Sequence, residues 1–304
     1  MTPTSEVEAA ARRIAGRVRR TPLLRGSPVL LKLEFLQHAG SFKTRGMFNK
    51  ILVAAERGLP AAGVIAASGG NAGLAAAYAA RELGVPAEIF VPVTAPPVKV
   101  AKLGKLGARV VQVGDEYAEA YAAAIVQADV TGALFCHAYD DPDMVAGNGT
   151  LGLELLEQAP DGFDTVLVAV GGGGLVAGLA AALRGRARVV AVEPHTSATL
   201  HSALAAGGPV DVKVSGVAVD SLGARRAGTI AYETAAAERL QSVLVDDRAI
   251  VEARRQLWED YRVAVEHGTA AAQAALSSGA YVPAAGERVV VLLCGANTDP
   301  ADLA

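Results

Sequence analysis

The chain has 304 residues, and 28 Lys and Arg against 31 Asp and Glu give a net charge of −3, so no basic stripe is available for a nucleic-acid partner. Hydrophobic residues make up 52% of the chain and aromatic residues 5%, which predicts a core of Ala, Val and Leu in helices packed on sheets. Two cysteines without zinc spacing predict a reducing, cytoplasmic setting, and no apolar run approaches the ~20 residues that span a membrane.

Short apolar runs alternate with Ala-rich helical stretches. An amphipathic helix is predicted first, because Val7, Ala11, Ile14 and Val18 recur at helical spacing. Strands are predicted at 30–33, 64–67, 88–91, 109–113, 165–170, 188–192 and 288–293, and helices at 44–57, 72–83, 116–128, 175–183 and 249–261. This alternation predicts an α/β fold of parallel sheets with crossover helices. Parallel sheets bind ligands beyond the carboxyl ends of their strands, so the loops there are the candidate sites.

The first such loop, GSFKTRG at 40–46, places Lys43 at the start of a predicted helix. The positive end of a helix dipole lowers the pKa of a lysine and favours the neutral amine that imine chemistry with an aldehyde requires. An ordinary exposed lysine is the alternative. The second loop, Ser68 to Gly73, has glycines before a helix N-terminus, which suits an anion such as a carboxylate. A simple helix cap is equally compatible with that loop.

The third loop is a run of four glycines, Gly171 to Gly174, between an apolar strand and a helix. Successive N–H groups at a helix N-terminus favour a phosphate site over a flexible linker. The same residues permit a rival, because Gly172, Gly174 and Ala177 fit G-x-G-x-x-A and Glu193 ends the next strand, as in NAD-dependent dehydrogenases. The fourth loop begins at Cys294, which is either a small buried hydrophobe or a weak, uncharged partner for a ring nitrogen.

Together and in this order, the four loops resemble the fold-type II pyridoxal-phosphate (PLP) family, in its serine/threonine dehydratase branch. The resemblance also covers 74–92, 141–155 and 215–223, and no set of hydride-transfer residues supports the dehydrogenase. It implies that Lys43 is the catalytic Schiff-base lysine. The cofactor residues that it implies are Phe42, Lys43, Asn71, Gly171, Gly172, Gly173, Gly174, Leu175 and Cys294. The substrate-carboxylate residues that it implies are Ser68, Gly69, Gly70, Asn71 and Ala72.

The resemblance further implies two open, twisted, mostly parallel sheets with helices on both faces. A small, substrate-closing domain at 44–136 would be inserted in a large PLP-binding domain at 1–43 and 137–304, with PLP between them. A small amino-acid substrate and a homodimer are expected, without nucleic-acid or membrane partners. The cation site of some relatives maps onto Glu193, Ser197 and Thr199; since Thr199 is not a carboxylate, we expect a monovalent rather than a divalent ion at Glu193 and Ser197.

The activity implied is elimination: L-threonine or L-serine would become the 2-oxo acid and ammonia, with Lys43 taking the Cα proton. Alternatives within the family are hydroxyaspartate or phenylserine dehydratase, an amino-acid racemase and a β-replacement enzyme. A racemase needs a proton donor on each face, and the family's racemases place a serine where this chain has Gly69, so elimination should exceed racemisation. One departure from the family is Glu266-His267-Gly268-Thr269 in place of Glu-Pro-Ser-Gly, which keeps the acid and changes its neighbours.

Overall fold

A computed structural model describes residues 2–26 and 29–303. Ten strands in the described residues form two sheets. The six-stranded sheet has the order β1-β2-β10-β7-β8-β9, and all its neighbours are parallel except β1 and β2. Its strands are β1 Leu23–Arg25, β2 Val29–Lys32, β7 Thr165–Ala169, β8 Arg188–Pro194, β9 Gln241–Val245 and β10 Val289–Leu292. The four-stranded sheet, β5-β4-β3-β6, is wholly parallel and contains β3 Val64–Ala67, β4 Ala87–Val91, β5 Arg109–Gln112 and β6 Leu134–Phe135.

Helices connect most of these strands. No helix among the described residues is long and apolar enough to cross a membrane. Those in the first half of the chain are α1 Thr4–Arg13, α2 Lys43–Glu56, α3 Asn71–Glu82, α4 Pro97–Lys105, α5 Tyr117–Thr131 and α6 Pro142–Gln158. Those in the second half are α7 Gly174–Leu183, α8 Thr199–Ala206, α9 Val219–Leu222, α10 Thr229–Ala237, α11 Asp247–Tyr261 and α12 His267–Ser277.

Both faces of each sheet are covered by helices, because successive strand residues point to opposite sides. In β7, Val166 and Val168 pack in one buried cluster with residues of α6 and α7, whereas Leu167 packs in another with residues of α11 and α12. In β3, Val64 joins a cluster with α2 and α3, and Ile65 joins one with α5. The predicted α/β architecture with parallel sheets is therefore confirmed.

All seven predicted strands are present, with ends that differ by up to two residues. Three more strands were not predicted: β1 and β6 are only three and two residues long, and β9 is the edge strand beside β8. Helix α1 ends at Arg13 and Gly16 has a φ of 74°, so the prediction that Val18 belongs to it was wrong.

Helix α6 was not predicted as a helix, although Asp141 accepts hydrogen bonds from the amides of Asp143 and Met144 at its start. Three interior glycines, at 147, 149 and 152, lower its intrinsic propensity. Tertiary packing compensates, because a Cβ at Gly147 would lie 2.7 Å from Cα of Gly46 in α2, and one at Gly149 would lie 2.6 Å from the Gly178 carbonyl oxygen in α7. Helix α6 is thus wedged between α2 and α7.

The strands of the four-stranded sheet come from one continuous stretch, 64–135, and those of the six-stranded sheet lie on both sides of it in the chain. The boundaries of the two domains, 1–43 with 137–304 and 44–136, remain a prediction. The first helical residue of α2, the start of α3 after β3 and the glycine run after β7 all adjoin the pocket described next.

Candidate active site

One pocket brings together most of the predicted site residues. Those that line it are Phe42, Lys43, Asn71, Gly171, Gly172, Gly173, Gly174, Leu175 and Cys294. Residues that line it without having been assigned to it are Ala138, Tyr139, Asn148, Ala169, Val176, Ser221, Leu222, Glu266, Gly268 and Thr269. The predicted substrate residues Ser68, Gly69, Gly70 and Ala72 adjoin Asn71 in the chain but are not among the lining residues, and neither are Glu193 and Ser197.

Lys43 is the first residue of α2, as predicted, and its Nζ donates a 2.8 Å hydrogen bond to the Ala138 carbonyl. The loop before it is tied to the end of β10, because the Phe42 amide donates to the Cys294 carbonyl at 3.0 Å. Burial lowers the pKa of Lys43 to about 8, against opposing effects of Cys294 and Glu266. The predicted direction is confirmed, but desolvation is the main cause rather than the helix dipole. At pH 7 about a tenth of this lysine is therefore the neutral nucleophile, far more than for an ordinary lysine.

The glycine run forms the start of α7, where the first amides have no partners within the helix and can bind an anion. Gly173 has a φ of 88°, which strongly favours glycine. A Cβ at Gly172 would lie 2.2 Å from Cγ of Tyr139, and one at Gly174 would lie 2.6 Å from the Tyr139 carbonyl oxygen. Two of these glycines are therefore required by close packing against Tyr139, a reason that the sequence pattern did not indicate.

Tyr139 belongs to a segment, 137–141, that closes one side of the pocket. Its amide and that of Asp140 donate to Nδ1 of His137 at 3.2 and 2.9 Å, and its hydroxyl donates to the Arg226 carbonyl at 3.3 Å. Both carboxylate oxygens of Asp140 accept amides at the start of α10. Because Nδ1 of His137 is an acceptor, this ring is unprotonated at that nitrogen, and burial lowers its pKa. Tyr139 is thus held at both ends.

Cys294 is buried in the wall of the same pocket as Lys43, and its Sγ lies 3.4 Å from Oγ1 of Thr269. The Thr269 hydroxyl donates its single hydrogen to the Gly295 carbonyl at 2.9 Å, so the thiol is the donor to Thr269. Burial raises the pKa of Cys294 to about 12, so the group is a neutral thiol. An uncharged partner for a ring nitrogen is what this residue can provide.

Asn71 is the centre of a network that sequence reasoning anticipated only in part. Its Nδ2 donates to both carboxylate oxygens of Glu266, at 2.9 and 3.0 Å, and its Oδ1 accepts from Nδ2 of Asn297 at 2.6 Å. The backbone N–H of Asn297 also donates to Glu266 at 3.0 Å. Burial raises the pKa of Glu266, although these hydrogen bonds oppose the rise. A buried carboxyl group therefore lies at the pocket wall and holds Asn71 in place.

Glu193 and Ser197 lie behind the glycine run. The Glu193 carboxylate accepts the amides of Leu200 and His201, both at 2.8 Å, and the Thr199 hydroxyl donates to the Gly171 carbonyl at 2.5 Å. Ser197 donates to the Leu222 carbonyl at 2.6 Å. Within residues 2–26 and 29–303 no cluster of three or more His, Cys, Asp or Glu side chains could hold a metal. The monovalent cation at Glu193 and Ser197 remains a prediction.

The pocket matches the chemistry of a phosphorylated pyridine aldehyde. It offers an amine of lowered pKa, helix-start amides for a phosphate, a neutral thiol and the apolar ring of Phe42. Residues 14–295 match the family model described as pyridoxal-phosphate dependent enzyme. The chain therefore belongs to the PLP-dependent enzyme family of fold-type II.

Similar proteins include threonine ammonia-lyases, threonine dehydratases, a phenylserine dehydratase and a serine racemase. The L-threonine ammonia-lyase of Geobacter sulfurreducens is 37% identical over 98% of this chain and 76% of its own. The phenylserine dehydratase of Ralstonia pickettii is 38% identical over 92% of this chain and 86% of its own. Among solved structures, the threonine deaminase of T.th. superposes with a TM-score of 0.89 at 35% identity, over 98% and 99% of the two chains. Maize serine racemase superposes with a TM-score of 0.92 at 29% identity, over 99% of this chain and 95% of its own.

Proposed function

We propose that this chain is a PLP-dependent ammonia-lyase that converts L-threonine, L-serine or both to the 2-oxo acid and ammonia. The observation that carries the proposal is Lys43, whose amine has a pKa of about 8 and which lines the same pocket as the start of α7. The relatives named threonine ammonia-lyase and threonine deaminase cover nearly the whole chain and support the same reaction.

When bound, PLP supplies an aldehyde for Lys43 and a ring that withdraws electrons from the substrate Cα. Lys43 then acts as the general base that removes the Cα proton, and the Ala138 carbonyl, 2.8 Å from its Nζ, orients the amine. The loop Ser68, Gly69, Gly70, Asn71 and Ala72 binds the substrate carboxylate through its amides and the start of α3. Across the reaction the substrate loses its β-hydroxyl as water, gains one water and releases ammonia.

Replacement of Lys43 by alanine tests this proposal. Lys43→Ala should fold and bind PLP non-covalently but release no oxo acid from L-threonine or L-serine. Lys102→Ala, on the exposed face of α4, is the control and should retain wild-type turnover. Wild-type oxo-acid production by Lys43→Ala would refute the assignment.

Elimination is proposed to exceed racemisation, and Gly69 is the reason. A Cβ at this position would have no atom nearer than 3.6 Å, so a side chain can begin there without a steric conflict at Cβ. Gly69→Ser should therefore raise D-serine formation relative to pyruvate if the residue faces the substrate. Chiral analysis of L-serine reactions measures both products. D-serine that accumulates as fast as pyruvate in the wild type would instead favour a racemase.

The proposal extends to the organisation of the protein. The separation of the two sheets along the chain supports a small domain at 44–136 that closes on the substrate, with the remainder binding PLP. From the resemblance to fold-type II dehydratases we also propose a homodimer in the cytoplasm. Sedimentation of the purified protein at the mass of one chain would refute the dimer.

A further inference from the structure

Asn148 is a pocket residue to which no role has been assigned above. It lies in α6, is 1% exposed and lines the same pocket as Lys43 and the glycine run. Its chain neighbours Gly147 and Gly149 pack against Gly46 of α2 and Gly178 of α7. These contacts lie about one turn inside the helix starts at Lys43 and Gly174, so Asn148 lies between the two N-termini that point their positive ends at the pocket.

The Asn148 amide has no hydrogen-bond partner. Its Oδ1 is fully buried without one, and its Nδ2 makes no hydrogen bond to any residue that the structure describes. Three other buried polar atoms share this property, on Ser41, Glu88 and Thr234, but none of these residues lines the pocket. Thr150, two residues along the same helix, donates to the Gly147 carbonyl as buried polar groups usually do. The buried Oδ1 is an acceptor and its lack of a partner is destabilising, whereas Nδ2 is a donor that a bound acceptor can pair with.

We propose that Asn148 is a ligand of the PLP phosphate, donating a hydrogen bond from its amide nitrogen. The phosphate is an acceptor, and the free amides at the start of α7 already favour it in this pocket. Asn148 adds a side-chain donor from a third helix. The inference depends on PLP binding and not on which amino acid is the substrate.

The decisive expectation is that replacing Asn148 by an apolar residue lowers PLP affinity without lowering the thermal stability of the apoprotein. Asn148→Leu keeps the branching and the number of side-chain heavy atoms and removes an amide that is unpaired in the cofactor-free protein. The apo variant should therefore melt at or above the wild-type temperature while PLP binds about 10-fold more weakly, the loss typical of one hydrogen bond to a charged group. Residues that only support the fold would lower both the melting temperature and the affinity.

Comparison of PLP with pyridoxal, which lacks the phosphate, locates the contact. Asn148→Leu should lose about 10-fold for PLP and less than about twofold for pyridoxal. Asn148→Asp has the same shape and places a negative charge beside the phosphate, so PLP should weaken by about 100-fold or more. Asn49→Leu is the matched control, because this buried amide has partners in Asp143 and Arg13; it should lower the melting temperature and leave PLP affinity unchanged.

Three results would overturn the proposal. They are unchanged PLP affinity in Asn148→Leu, an equal loss for PLP and pyridoxal, and a fall in apo melting temperature that accompanies the loss of affinity. If Asn148→Leu fails to fold, the isosteric Asn148→Asp decides, since a larger loss for PLP than for pyridoxal supports the contact and an equal loss contradicts it.

Discussion

Substitution of Gly172 by alanine should perturb the site by steric conflict with one ring. A Cβ there would lie 2.2 to 2.4 Å from Cγ, Cδ1 and Cδ2 of Tyr139, whereas ordinary contact begins at 3.4 Å, so a displacement of 3.4 − 2.2 = 1.2 Å is required. The ring cannot move freely, because the Tyr139 hydroxyl and amide are bonded to Arg226 and His137. Overpacking of this kind costs about 1–3 kcal/mol. Gly172 is outside the positive-φ glycines, so the cost is steric rather than conformational.

A double-mutant cycle isolates this conflict. Gly172→Ala, Tyr139→Ala and the double variant are unfolded by urea without cofactor, and PLP affinity is measured in parallel. The double variant should recover about 1–3 kcal/mol relative to the sum of the single losses. Gly208→Ala, where a Cβ would meet no atom within 4 Å, is the control for alanine itself.

Additive losses in this cycle would refute the role of Tyr139, as would a loss in Gly172→Ala no greater than in Gly208→Ala. PLP should also bind more weakly to Gly172→Ala, because the ring that must be displaced lines the pocket. Recovery of PLP affinity in the double variant would show that the glycine serves the ring rather than the phosphate.

Three further predictions concern charge. Burial raises the pKa of Glu193 to about 7, above its ordinary 4.5. The stability that this residue contributes is therefore present below pH 4.5 and is lost as the pH rises through 7, by about 3 kcal/mol in total. In Glu193→Gln the free energy of unfolding by urea should depend less on pH between 5 and 8, and an unchanged pH dependence would contradict the shift. The Glu266 carboxylate raises the pKa of Lys43, so Glu266→Gln should lower the pKa of Lys43. PLP uptake by the apoprotein, measured by absorbance, should then begin at lower pH, and uptake that begins at higher pH would contradict this role of Glu266. After chelation and desalting, potassium should activate modestly and magnesium should not; strong, specific activation by magnesium or calcium would exclude a monovalent site at Glu193 and Ser197.

The order of strands and loops could be predicted because each signal is local. An apolar run followed by glycines and a helical pattern identifies a strand end, and the topology of parallel sheets then places such ends together. Lys43, Asn71, the glycine run and Cys294 meet in one pocket for this reason. The predicted substrate loop could be placed only beside it, since no rule of spacing fixes how far a backbone loop lies from a pocket wall.

Contacts between distant segments could not be predicted. Tyr139 meets Gly172, Lys43 meets Ala138, and Asn71 meets Glu266 across 195 residues, and none of these pairs leaves a periodic pattern in the chain. The cause of the lowered Lys43 pKa was assigned to the helix dipole for the same reason, because burial depends on which segments cover the amine. Helix α6 was missed because its interior glycines are favourable only where α2 and α7 approach it.

Buried ion pairs hold the start of α2 in place. Arg45, two residues after Lys43, donates to both oxygens of Glu34, at 2.6 and 3.0 Å, and to Glu154 of α6 at 2.9 Å. Lys32 of β2 also donates to Glu154, at 2.5 Å. Removal of one partner from such a network leaves an unpaired buried charge, which is strongly destabilising. Lys43 is therefore anchored to β2 and α6.

Asn71 links the two sheets, because it follows β3 of the four-stranded sheet and bonds to loops of the six-stranded sheet. Glu266 precedes α12 and Asn297 follows β10, so the hydrogen bonds of Asn71 cross from one sheet to the other at the pocket wall. Any movement of the four-stranded sheet toward a substrate must break these bonds or carry Glu266 and Asn297 with it. The two predicted parts of the site are therefore held differently. A buried ionic network around Arg45 fixes the start of α2 beside Lys43, whereas Asn71, which is partly exposed, is held by neutral and charge-assisted hydrogen bonds.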